Sequence, residues 1–423
     1  MSDEFSLAVA RTLDEADPLR EFQRQFHFPV GAGGRPKIYL CGNSLGLQPA
    51  EARRAVVAEL DDWERLGVEG HFQGEHPWMP YHEFVTEPLA GVVGALRHEV
   101  VAMNSLTVNL HLMMVSFYRP QGSRRRIVME RQAFPSDRYA VCSQIRYHGL
   151  DPEDALVELE DEPGSASVSL DTLAEYLDRQ GDEVALILMP GVQYLSGQLQ
   201  NMEEICRLGR QYGCRVGLDL AHAAGNVPLA LHDWGPDFAV WCSYKYLNCG
   251  PGAVAGCFVH ERHARSDDLP RFAGWWGHEK STRFRMGPRF QPSYGAEGWQ
   301  LSNPPILALA PLRASLPLFE RAGMQVLREK SLRLTGYLET GIRQRLDSAI
   351  EIRTPADPER RGCQLSLRLR HGDGRPVFEA LEADDVVADW REPDVIRVAP
   401  VPMYNRFQDV VHFVDRLEAA IHG

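Results

Sequence analysis

The stretch "GLDLAHAAGNVPLALHDWGPDFAVWCSYKYLN", residues 217–248, decides how this chain is read. It holds most of two apolar runs, RVGLDL at 215–220 and DFAVWCS at 237–243. Both are continuous rather than alternating, which is the pattern of strands covered on both faces. Each run delivers one chemically loaded residue at or just past its end, Asp219 from the first and Lys245 from the second. Open parallel sheets bind ligands beyond the carboxyl ends of their strands, so the two residues are expected on one side of one sheet. Alternatives stand beside this for each residue. Asp219 can be a helix N-cap with His222 a satisfied core histidine, and Lys245 can be an ordinary surface cation.

Working outward, the same kind of apolar run recurs at 126–130 (RIVME), 184–190 (VALILMP) and 255–260 (AGCFVH). The segments PSDRYAVCSQIRYHG, LDTLAEYLDRQ and MEEICRLGRQYG lie between them and carry helical periodicity with turn chemistry at their ends. Strands alternating with helices predict an α/β fold whose large domain is built on a mostly parallel sheet. Before it come the helical patterns AEARRAVVAELDDWERLG and HEFVTEPLAGVVGAL, and after 305 a long helical stretch leads to CQLSLRL and a final helix. The expected division is an N-terminal arm that is also part of a small domain (1–50), a large domain (51–305) and a smaller α+β domain (306–423).

Composition bounds the function. Of 423 residues, 44% are hydrophobic and 24% charged, as in a large globular protein. A net charge of -13 disfavours nucleic acid or an anionic membrane as the partner. The basic run SRRR at 123–126 is expected to be a solvated loop. No apolar run is long enough to span a bilayer, and the acidic N-terminus lacks the basic-then-apolar pattern of a signal peptide. The eight cysteines show no C-x-x-C pair and no metal-ligand spacing, which predicts a reduced, cytoplasmic protein without a metal site.

A third motif joins the two strand ends. MNSLTVNLHLMMVSFY, 103–118, puts Ser105, Thr107 and Asn109 at the start of an apolar helix. Free N–H groups and hydroxyls there suit a phosphate, although a plain N-cap on a core helix gives the same pattern. Ser243 can also reach a phosphate, and NCGPGA lets backbone approach a ligand. A phosphate cradle, a strand-end carboxylate and a strand-end lysine together fit pyridoxal 5'-phosphate. The lysine amine is the nucleophile for its aldehyde and the carboxylate pairs with its ring nitrogen.

The chain resembles the kynureninase family of fold-type-I pyridoxal-phosphate hydrolases. The resemblance rests on YLCGNSLGLQP (39–49), SLTVNLHLMMVSFY (105–118), AFPSDRYA (133–140), residues 217–248, GWWGHEKSTRFRM (274–286), LSNPPI (301–306) and IRVAPVPMYNRF (396–407). It implies cleavage of the Cβ–Cγ bond of L-kynurenine to anthranilate and L-alanine, within tryptophan breakdown or nicotinamide-nucleotide synthesis. Carried over residue by residue, it implies that Leu106 and Thr107 hold the phosphate and that Phe134 stacks on the ring, with Ser136 and Asp137 beside it. Asp219 would pair with the ring nitrogen, His222 would lie near the ring, and Tyr244 would bind phosphate and move protons. Lys245 would carry the aldehyde and act as the base at Cα. Trp275 and Asn303 would complete the site of the neighbouring subunit, making a homodimer. Arg397 would grip the substrate carboxylate. His71 with the Ser302–Asn303 pair resembles the members that prefer 3-hydroxykynurenine. The chain departs from the family at Pro190, where relatives often carry a hydroxyl residue near the cofactor. Competing expectations are another fold-type-I activity, a transaminase or a desulfurase using Cys249, and a cofactor-binding protein without catalysis.

Overall fold

The computed structural model describes residues 4–161, 168–265 and 268–423. Its largest sheet has seven strands: β1 (Val100–Ala102), β2 (Arg126–Glu130), β3 (Leu156–Leu159), β4 (Val184–Pro190), β5 (Arg215–Asp219), β6 (Phe238–Trp241) and β7 (Gly256–Val259). They lie in the order β1-β7-β6-β5-β4-β2-β3. Strands β3, β2, β4, β5 and β6 run parallel, and β7 pairs antiparallel with both β6 and β1. The five apolar runs read from the sequence are all strands of this sheet. The two short strands β1 and β3 were not expected.

The continuous apolar runs follow from two buried faces. Val128, Ile187, Met189, Val216 and Leu218 pack into the core on one face. Ile127, Met129, Leu186, Leu188 and Val240 pack into the core on the other. Each fully buried side chain of this size contributes about 1.5–3 kcal/mol, so the sheet cannot slip register without exposing both sets. The covering helices are locally specified. In Met202–Tyr212 the Asn201 side chain accepts from the Glu204 N–H at 3.2 Å, and Gly213 ends the helix at φ +66. Ser169 caps Leu170–Gln180 through the Thr172 N–H at 3.2 Å.

A second, four-stranded antiparallel sheet is formed by β8 (Ile350–Ile352), β9 (Leu365–Leu369), β10 (Asp389–Arg391) and β11 (Val395–Val398), in the order β8-β9-β11-β10. Its core takes in Phe5, Ala10, Ile38 and Leu40 from the N-terminal residues. Asp14 caps the last helix, Phe407–His422, accepting from the Phe407 N–H at 2.7 Å and the Gln408 N–H at 3.2 Å. Among the described residues no helix is long and apolar enough to cross a membrane.

Ser123 and Arg125 of the SRRR run are exposed as expected, but Arg124 and Arg126 depart from expectation. Arg124 is partly buried and donates to the carbonyls of Val184 at 2.6 Å, Tyr212 at 3.1 Å and Gly181 at 3.2 Å. Arg126 opens β2 and pairs with Glu183 at 3.0 Å. The run ties together the amino ends of the strands, because the fold leaves carbonyls there that need donors. The eight cysteines are all buried and unpaired.

Candidate active site

The carboxyl ends of β2, β4 and β5, together with the loop after β6, open onto one pocket. Its lining includes Leu106, Thr107, Phe134, Ser136, Asp137, Pro190, Asp219, His222, Tyr244 and Lys245. The phosphate-cradle helix, Leu106–Phe117, has Ser105 at its N-cap, and that side chain makes no capping bond. The first-turn N–H groups, which have no partner within a helix, are therefore left open at the pocket wall. Thr107 Oγ1 and Ser136 Oγ lie 3.0 Å apart across that wall. Thr107 and Ser136 thus stand side by side, as a phosphate site needs.

Lys245 Nζ is 2.9 Å from His222 Nε2. Burial, and after it the charge of Lys245, hold His222 well below the usual imidazole range. The imidazole is therefore neutral. The answer to the surface-cation alternative is geometric: Lys245 lies within the pocket, 6.0 Å from the Phe134 ring centroid and 5.9 Å from that of Tyr244. Phe134 sits edge-to-face with Tyr194, ring centroids 5.3 Å apart. Burial pushes the Tyr244 phenol up, keeping it protonated.

The floor carries three carboxyl groups, Asp219, Asp137 and Glu130, all buried. Burial raises all three, and Glu130 is pushed up to about 8. Asp137 is also raised by the neighbouring Asp219 charge, whereas hydrogen bonds from Asp137 and from the Ala221 N–H, at 2.7 Å, lower Asp219. One proton therefore resides on Asp137, and Asp219 is the acceptor of the pair. Asp219 is not an N-cap of any regular helix; it ends β5 opposite Pro190.

Several predicted residues lie elsewhere. Ser243 is fully buried behind the lysine loop and does not line the pocket. Arg397 is also buried, donating to Asp389 Oδ2 and to the Tyr194 carbonyl, both at 2.6 Å. It therefore reaches the pocket wall only through Tyr194. Trp275 lines a separate cleft with Arg283 and Phe290. Ser302 and Asn303 are exposed, and His71 is half-buried at the end of a 3-10 turn. None of these four enters the pocket of this chain. Glu130 and Tyr194 line it and were not anticipated. Glu130 was discoverable by the rule that found Asp219, since both are the last residue of a central strand.

Pyridoxal phosphate can be tested against these residues. His222 Nδ1 and Asp137 Oδ1, both in the pocket lining, are buried with no hydrogen-bond partner among the described residues. Buried polar groups rarely remain so unless something else completes them. A phosphate-bearing aromatic cation answers the open helix turn, the lysine amine and the Asp219 acceptor together, so the residues fit the group.

A family model, the kynureninase C-terminal domain, matches residues 327–417. A kynureninase of Xanthomonas oryzae pv. oryzae (strain PXO99A) is 60% identical over 421 residues, 99% of each chain. The chain belongs to the kynureninase family. It is also 58% identical over 421 residues to a kynureninase of Stenotrophomonas maltophilia (strain K279a), again across 99% of each chain. Membership of the kynureninase family makes it a pyridoxal-phosphate-dependent enzyme. Solved structures match at the level of the fold. A cysteine desulfurase from Thermococcus onnurineus NA1 aligns with a TM-score of 0.75 at 17% identity, covering 92% of this chain and 95% of that one. A lyase variant with glycine linked to its pyridoxal-phosphate cofactor aligns with a TM-score of 0.78 at 18% identity, covering 94% and 98%. The architecture is that of fold type I. The desulfurase alternative has no support in the chemistry: Cys249 is buried, its thiol raised well above the usual range by burial, and Sγ lies 3.1 Å from the Leu247 carbonyl.

Proposed function

We propose that this chain hydrolyses the Cβ–Cγ bond of L-kynurenine and of 3-hydroxy-L-kynurenine, giving an anthranilate and L-alanine, with the 3-hydroxy substrate preferred. The observation that carries this is Lys245, placed 2.9 Å from a neutral His222 and in one pocket with Asp219, in a chain matching a kynureninase from end to end. When bound, pyridoxal phosphate supplies an aldehyde that joins an amine and a cationic ring that draws electrons from the substrate's Cα.

The chain's own residues do the rest. Lys245 is the one lysine lining the pocket, so it is both the anchor and the base that takes the Cα proton. Neutral His222, 2.9 Å from its Nζ, offers no competing charge. Asp219, with its neighbour Asp137 protonated, holds the ring nitrogen as a cation. Leu106 and Thr107 hold the phosphate with the first helical turn, Ser243 and Tyr244 contribute from the lysine loop, and Phe134, Ser136 and Asp137 fix the ring. The protonated Tyr244 phenol moves protons during hydration of the γ-carbonyl and cleavage. Arg397, held by Asp389 until substrate arrives, binds the α-carboxylate.

Trp275, Asn303, Ser302 and His71 act across a homodimer, in the site of the partner subunit, where the polar groups hydrogen-bond the phenol of the 3-hydroxy substrate. A site built around a substrate hydroxyl discriminates strongly against the analogue lacking it. The test is to add each substrate to purified holoenzyme and follow anthranilate fluorescence. The 3-hydroxy substrate should give a kcat/KM about tenfold higher or more. The reverse order overturns the preference, and no anthranilate from either substrate overturns the function.

A further inference from the structure

Away from the active site, a cleft of about 570 Å3 lies between the N-terminal residues and the last helix. That volume is within the range of small-molecule sites. Its lining holds five lysines and arginines against two carboxylates, in a chain whose net charge is -13. Such a local reversal of sign inside a concave surface focuses field on an anion.

Four of the five cations are ion-paired, two of them to well-exposed carboxylates, and Arg35 is left over. Arg35 makes no ion pair and no side-chain hydrogen bond among the described residues, and His412 is equally free. Arg24 pairs with Glu21 at 2.7 Å, but those side chains are 79% and 60% exposed, so the pair is worth little and opens easily. Arg416 reaches Asp384 at 3.2 Å, and that carboxylate is 65% exposed. Of the two carboxylates in the lining, Asp385 faces Lys37 at 3.4 Å and Asp409 is held by Arg406 at 2.9 Å. Phe28 and Ile38 add an apolar wall for a compact organic body.

The cleft is also wired to the lysine loop. The turn at 30–36 is seated on Asp385, whose carboxylate lies where a Cβ on Gly31 would stand. From Lys37 the chain runs into Ile38–Tyr39, which pairs in parallel with Val386–Val387. A few residues on, the Gly46 N–H donates to the Tyr244 carbonyl at 2.8 Å. A Cβ on Gly46 would stand 2.2 Å from the Lys245 carbonyl oxygen, so the two backbones touch and movement of one is felt by the other.

We propose that this cleft is a regulatory site for a small polyanion bearing phosphate or carboxylate groups, and that its occupancy changes turnover at Lys245. Guanidinium groups match both anion types. The turnover part rests on the proposed function; the binding part does not. Titrating holoenzyme saturated with pyridoxal phosphate with pyrophosphate, and separately with citrate, by calorimetry should show one saturable site per chain for at least one of them. The two arms separate a phosphate ligand from a carboxylate ligand. Affinity should fall as salt is raised, and R35E/R416E should weaken it at least tenfold while leaving anion-free turnover unchanged. R35A, at an exposed turn, repeats the test with the smallest disturbance of the fold and should weaken binding at least threefold. No saturable binding by either anion, or equal binding to wild type and R35E/R416E, overturns the site. Binding that leaves kynurenine turnover within 20% of its anion-free value overturns the regulatory part.

Discussion

Asp219 and Asp237 are both buried aspartates on the same sheet, and they live in opposite electrostatic conditions. Asp237 stands at the amino end of β6. It accepts from the Val216 N–H, Arg215 and His263 at 2.8 Å each and lies 3.0 Å from Arg262. Burial alone would raise it, yet His263 and the two guanidinium groups hold it well below the usual carboxylate range. Asp219 stands at the carboxyl end of β5 with one backbone donor, a carboxyl neighbour and no guanidinium, and burial raises it. The amino end is electrostatically complete, and the carboxyl end is left for a ligand to finish. Perturbed and under-paired groups gathered at one end of a sheet are the physical mark of a functional site.

The strongest way to break this contrast is at Lys245. Lys245→Ala should lower kynurenine turnover by at least about a thousandfold, roughly 4 kcal/mol of barrier. It should also abolish the visible absorption that a lysine-linked cofactor gives, with little change in Tm, because Lys245 is only half-buried. Turnover within tenfold of wild type would remove Lys245 from the chemistry and the contrast with it.

Asp237→Asn tests the other end. Removing one partner from a buried charge cluster costs about 3 kcal/mol, so Tm should fall by about 5 °C, with kcat of the folded enzyme unchanged. The pH dependence follows from the sign of the shift. A carboxylate lowered in the folded state contributes stability that is present above its unfolded pKa and lost as pH falls through the folded one. The Tm gap between wild type and variant should therefore be full at pH 7 and shrink below about pH 4. A variant that keeps its stability but loses kcat would place Asp237 in the wrong class.

Glu130 sharpens the comparison because it is an acid raised rather than lowered, from 4.5 to about 8. The unfolded chain loses that proton near pH 4.5 while the folded one keeps it, so stability falls as pH rises through that window. Glu130→Gln removes the titration. Between pH 5 and 8 the apo-form of the variant should lose less stability than wild type, by roughly 3–4 kcal/mol, in denaturant unfolding at each pH. Parallel pH profiles would show that Glu130 is ionised in the folded chain and that the carboxyl cluster is ordinary.

How much of this was legible varies with the reach of the interaction. The central strands were readable because both faces are buried and five apolar runs report it directly, and the strand-end positions of Asp219 and Lys245 follow from them. Strands β1 and β3 were not readable. β1 is only Val100–Ala102, and β3 is a half-buried edge embedded in acidic sequence. The proximity of Thr107 to Ser136, of His222 to Lys245 and of Asp137 to Asp219 joins separate loops, and only the family resemblance anticipated it. Arg124 was misjudged because a basic triplet looks solvated until the carbonyls of Gly181, Val184 and Tyr212 are brought around it. The Asp389 partner of Arg397 comes from register: the two residues face each other across antiparallel strands β10 and β11, which no local pattern announces.

The smallest expected effect belongs to Pro190, the position where the family resemblance implies a hydroxyl. It ends β4 directly across from Asp219 and lines the pocket. Proline has no N–H to lose there, and the next N–H, that of Gly191, already donates to the Asp219 carbonyl at 2.7 Å. A serine at 190 would therefore add a donor at the strand end without disturbing the ladder beyond it. One neutral hydrogen bond contributes about 1 kcal/mol to cofactor binding, and the freedom an unfolded serine regains relative to proline costs folding stability about 0.4–1 kcal/mol. Pro190→Ser should thus tighten cofactor binding about threefold while lowering Tm slightly, read by titrating the apo-form with pyridoxal phosphate. Affinity unchanged within error, with Tm down, would mean that the neighbouring groups already supply what a hydroxyl there would supply. The carboxyl end of the sheet would then be closer to complete than its orphaned atoms indicate.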